Sequence, residues 1–85
     1  MNTNMNKLAW RYIGYCVEGQ NFFVEGINIS NYIWHPVDDE QADVEDPHNH
    51  RPYTFGVWQV EVNGQRVRFA AGEFMNCVWG FFRQH

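Results

Sequence analysis

The pair Asn63-Gly64 lies between two runs, residues 56–62 and 65–70, in which apolar and polar side chains alternate. A two-residue type I′ turn needs positive φ at both central positions, which Asn and Gly adopt at low cost, and such a turn holds its flanking strands in one register. That register sets Val60 opposite Val67 and Trp58 opposite Phe69, and on the reverse face it sets Glu61 against Arg66 and Gln59 against Arg68. Turn chemistry, alternation and charge select the same pairing, and a slip of one residue would carry Trp58, Val60, Val67 and Phe69 from the core into water. The chain is therefore built around an antiparallel hairpin.

Further strand signals flank it. Residues 10–17 (WRYIGYCV) and 22–29 (FFVEGINI) are dense in aromatic and β-branched side chains, with Glu18-Gly19-Gln20-Asn21 between them. They predict a second hairpin, in which a type II′ Gly19-Gln20 loop would set Val17 opposite Phe22 and Tyr15 opposite Val24; a four-residue loop is the other geometry open. Residues 77–82 (CVWGFF) predict a strand returning beside 65–70, because Gly80 and the crowded aromatics disfavour a helix. Residues 32–35 predict a shorter strand halted by Pro36. The expected fold is all-β: five or six short antiparallel strands in a small sandwich or partly open barrel, with one long acidic loop.

Eighty-five residues allow one core, so residues 1–85 form a single domain, with 1–8 expected as a flexible arm. Fifteen aromatics are many for so short a chain. Trp10, Tyr12, Trp58, Phe69, Trp79 and Phe81 are the simplest core set, whereas some of Tyr32, Trp34, Tyr53, Phe74 and Phe82 are expected at the surface, as a contact patch or a homodimer interface. Cys16 and Cys77 sit within apolar runs without CxxC spacing and are expected as free, buried thiols. No run approaches the roughly 18 apolar residues of a membrane helix, and the polar start lacks the pattern of a signal peptide, so a cytoplasmic protein is expected.

Charge is unevenly placed. Asp38, Asp39, Glu40, Asp43, Glu45 and Asp46 fall within nine positions that contain no base, a segment of −6; elsewhere four acids face six bases, which leaves the body near +2. The net charge of −4 argues against direct nucleic-acid binding, which needs surplus Lys and Arg. Residues 36–52 hold these acids, three prolines and two histidines with almost no apolar period, and predict a loop long enough to be functional. An acidic segment on a rigid β scaffold would be steered to a protein partner with a basic surface, in particular one that normally holds phosphates, with Trp34 and Tyr53 as apolar anchors. The plainer alternative is a solvated insertion that only keeps the domain dispersed.

Two other chemistries are open to these residues. His48 and His50 form an HxH pair, with His35 and Asp46 near in sequence, and could ligate zinc as a metal-binding module or a small metal-dependent enzyme. Neither cysteine is close to them in sequence. For catalysis without metal there is little: no GxSxG, GxGxxG or P-loop occurs, Ser30 is the only serine, and a Cys16 or Cys77 nucleophile would have to leave an apolar strand. No cofactor and no catalytic residue is therefore assigned.

In size, single-domain build, the DDEQADVED segment and lack of catalytic signatures, the chain resembles the small acidic proteins that phages encode against host defence, of which the anti-CRISPR proteins are the best-known group. That resemblance implies a non-enzymatic inhibitor acting in the host cytoplasm on a nucleic-acid-handling complex through an acidic surface.

Overall fold

In the computed structural model, which describes residues 9–85, the central hairpin comprises β5 (Pro52–Val62) and β6 (Gln65–Met75). Asn63 and Gly64 have φ of 51° and 82°, as a type I′ turn requires. Val60 pairs with Val67, Trp58 with Phe69, Glu61 with Arg66 and Gln59 with Arg68, the register expected from the sequence. Strand β7 (Val78–Gln84) returns beside β6 through Asn76-Cys77, and β1 (Trp10–Val17) pairs with β7. On the other side β4 (Trp34–Glu45) pairs with β5, completing a five-stranded antiparallel sheet of order β1-β7-β6-β5-β4 that is not closed into a barrel. The arm expected over residues 1–8 lies outside the described residues.

The second hairpin differs from expectation. Residues 10–17 do form a strand, but Glu18 donates its amide to the carbonyl of Cys77, 2.7 Å away, and the strand is tied to β7 rather than to residues 22–29. The latter fold on themselves: β2 (Phe23–Val24) pairs with β3 (Ile27–Asn28) around Glu25-Gly26, both at positive φ. Gly26 inside the run was the turn signal: Glu25 and Gly26, both at positive φ, close a two-residue loop, and the edge of β1 that Gly19-Gln20 would have paired is taken by β7.

The two faces of the sheet bury separate clusters. Trp10, Ala42, Val44, Phe55, Val57, Ala70, Phe74 and Phe82 fill one. Rings lie flat there because two glycines leave room beneath them: a Cβ on Gly72 would stand 2.4 Å from Phe55, and one on Gly80 would stand 2.2 Å from Phe74. The sheet curls over this cluster, so that Tyr12 of β1 and His48, beyond the end of β4, meet edge to face at 5.6 Å although they come from opposite edges.

The other face buries Phe22, Ile29, Val60, Phe69, Ala71 and Phe81. It is covered by the β2–β3 hairpin and the 3₁₀ turn Ile29–Asn31 that follows, which is capped by the Asn28 side chain and held by the Phe22 amide donating to Ser30 Oγ at 2.6 Å. Of the five aromatics among which surface groups were expected, Phe74 and Phe82 are buried and Tyr32, Trp34 and Tyr53 are half-buried; the large apolar side chains at the surface are instead Tyr15, Val17, Phe23, Ile33 and Met75. Both cysteines are free. Cys16 is half-buried, but Cys77 is exposed in the β6–β7 turn at φ 67°, so its thiol is not the buried group expected. No helix among the described residues is long and apolar enough to cross a membrane.

Candidate functional site

The segment expected as a loop over residues 36–52 is largely strand. Strand β4 runs to Glu45, and only residues 46–51 connect it to β5. Ala42 and Val44 point into the core while Asp43 and Glu45 alternate with them, a period of two that the acids obscured. Pro36 does not end the strand, because β4 is an edge and an edge residue can lack its N–H at no cost to the ladder.

Between Pro36 and Gln41 the pairing breaks. Pro36 lies opposite Trp58 and Gln41 opposite Gly56, so β4 advances five residues where β5 advances two. The excess is a bulge. Val37 packs against the core cluster, Asp39 takes φ 62°, and Glu40 turns inward to pair with the Arg68 guanidinium. Arg68 also donates Nε–H to Gln84 Oε1 at 3.0 Å, which ties β4, β6 and β7 together across the curled face. Asp38 and Asp39 are left exposed and enter no ion pair among the described residues.

The remaining carboxylates are spent on structure. Asp46 is 4% exposed, and its Oδ1 accepts from the His48 amide at 2.9 Å, an Asx turn that shapes the connection. Asp43 accepts from Thr54 Oγ1 at 3.0 Å on the paired strand, and Glu45 lies 3.0 Å from His50 Nδ1. The single block of −6 is thus divided along a strand, with one acid paired to Arg68, one buried and two free at the bulge. Of the bases that could neutralise the acids from within, Arg51, Arg66 and Arg68, it is Arg68 that does so, at Glu40; its place in the hairpin register was plain, but its reach to β4 depended on a strand the composition concealed.

The two aromatic anchors are committed to packing. Trp34 donates Nε1–H to the Ile29 carbonyl at 3.1 Å and leans on Phe69 and Phe81, on the face away from the acids' core contacts. Tyr53 donates its hydroxyl to the Phe74 carbonyl at 2.9 Å and lies against Phe55 and Phe74. Comparison with protein-family models, with curated proteins and with solved structures returned no match.

The histidines do not converge. His35 lies at the start of β4 opposite Gln59, whereas His48 and His50 lie beyond its other end, their Nδ1 atoms each 3.0 Å from a different carboxylate, Asp46 and Glu45. Among the described residues no three His, Cys, Asp or Glu side chains are placed to hold a metal ion. Asp46 and His48 do form a carboxylate–imidazole pair beside a cavity of about 280 Å³ lined also by Tyr12, Tyr15, Phe74 and Met75. The phenol whose ring meets His48 is a poor nucleophile: burial first, then the Asp46 charge and then Tyr15 push Tyr12 above its ordinary value of 10.0.

Proposed function

We propose that the chain is a non-enzymatic binding protein that engages a basic surface on a protein partner through the acidic edge of its sheet, in the manner of the small phage inhibitors it resembles. The observation that carries this reading is the bulge in β4, which holds Asp38 and Asp39 in water without an ion pair among the described residues while Glu40 and Val37 anchor the segment from within. A bulge and inward charge on an edge strand block pairing with another strand, so this edge meets a partner with side chains rather than by extending the sheet. Two fixed carboxylates lose little freedom on binding and suit Arg or Lys that otherwise hold phosphates. Asp43 and Glu45, half-buried along the same strand, extend the acidic line.

Affinity capture from lysate of the source cell, with wild-type protein and Asp38→Asn/Asp39→Asn as parallel baits, tests it. Basic proteins retained by the wild type at low salt should be lost by the double variant and by washing at high ionic strength. Identical sets on both baits would refute the acidic-edge mechanism.

A further inference from the structure

On the face away from the curled core lies a cavity of about 240 Å³ whose walls are almost wholly aromatic: Phe22, Trp34, Trp58, Trp79 and Phe81, over a floor at Ala71. It is smaller than the roughly 300–1,000 Å³ of pockets that take drug-sized ligands, and so suits one compact group. The rings do not stack as a single layer. Trp34 meets Trp58 at 73° and Phe81 at 60°, with centroids 6.4 and 5.7 Å apart, and so stands as a wall at a steep angle to both, while Phe22 and Phe81 stack at 18°.

The nearest base along the strands is already paired: Arg83, two residues along β7 from Phe81 on the same face, has its Nη1 3.6 Å from Glu25 Oε1. None of the cavity's lining residues is basic, and Glu73, two residues along β6 from Ala71 on the same face, lies opposite Trp79 in the β6–β7 ladder. Its carboxylate is exposed, and the Cys77 amide, which donates to it at 3.3 Å, keeps it at that end of the strand. Indole and phenyl faces attract cations, and a nearby carboxylate adds to the attraction. The lining is poor in acceptors, however. Ser30 Oγ already accepts from the Phe22 amide, so a primary ammonium or a guanidinium would enter with three or five N–H donors and few places to satisfy them. A fully alkylated ammonium has no N–H to satisfy.

We infer that this aromatic cavity, bordered by Glu73, is a binding site for a trimethylammonium group. Neither Asp38 nor Asp39 lines the cavity, and the inference does not depend on the acidic-edge reading.

Tryptophan fluorescence titration of the full chain tests it, with free choline and a trimethyl-lysine peptide as separate arms that distinguish a small metabolite from a modified protein tail. The neutral control is 3,3-dimethylbutan-1-ol, which has the same shape as choline without the charge. Saturable binding is expected in at least one cationic arm, about tenfold tighter than the alcohol. Glu73→Gln should weaken the cation several-fold and leave the alcohol unchanged, and Trp79→Leu should weaken the cation more. Heteronuclear NMR spectra establish that each variant keeps its fold; should Trp79→Leu unfold, Glu73→Gln carries the test alone. Equal affinity for choline and the alcohol, or no saturation in either arm, would overturn the inference.

Discussion

The two faces of the sheet are built from the same kinds of side chain and are closed in different ways. On the curled face Phe55 and Phe74 lie down over Gly72 and Gly80, β1 and the connection after β4 are drawn together, and a polar bridge from Glu40 through Arg68 to Gln84 crosses between strands. On the opposite face a short hairpin and a 3₁₀ turn cover only part of the surface, and Trp34, Trp58 and Trp79 border a cavity. Bare glycine backbone lets a ring fill its space, whereas indoles braced against one another leave a gap. The curled face keeps its cavity of about 280 Å³ at the rim, where Tyr12 meets His48, whereas the gap on the open face lies among the indoles themselves.

The largest effect that would break this contrast is expected from Gly80→Ala. Its Cβ would be driven into the Phe74 ring at 2.2 Å, and the loss is expected near 3 kcal/mol, at the upper end for overpacked cores, read from the denaturation midpoint. Adding Phe74→Leu should return part of it, since the two changes share one space.

A smaller effect is expected on the open face. Trp34→Phe removes the hydrogen bond to the Ile29 carbonyl and some wall volume, at a cost of roughly 1–2 kcal/mol in the same measurement. Because this indole fixes one wall, the variant should lose intrinsic fluorescence sensitivity to cations along with stability.

The smallest effect is a matter of pH. Burial, then Asp46, then Tyr15 raise the Tyr12 phenol above 10.0, so the folded chain holds that proton more tightly than the unfolded chain does. The stability this supplies is complete below about pH 10 and is lost as pH rises through the folded value. Cys16, raised above 9.0 by burial, slopes in the same direction and persists in both proteins. Tyr12→Phe should therefore show a shallower decline above pH 10 than the wild type; equal slopes would mean that the curled edges do not enclose the phenol.

How far these regions could be read from the residues follows from where their partners lie in sequence. Asn63-Gly64 and its flanking strands state their own register, and Val60, Val67, Trp58 and Phe69 pair as the turn demands. The partner of β1 is β7, some sixty residues on, and no local turn reports a pairing of that range. Strand β4 was hidden for a different reason. Its inward residues Ala42 and Val44 do alternate, but acids of low strand propensity lie between them, and the bulge before Gln41 breaks the period just where a pattern would have become visible. At the candidate site, the crowding of acids was legible. Their division was not, because Arg68 meets Glu40 only once the sheet has formed.

Amide hydrogen exchange along residues 36–51 tests most directly that the acids are presented by a strand rather than carried on a free loop. An edge strand bonds inward through alternate residues, so residues 41–45 should alternate between protected and fast amides, while the bulge at 37–40 exchanges rapidly. Uniformly fast exchange from 36 through 51 would contradict the account, since Asp38 and Asp39 would then have no rigid frame to hold them.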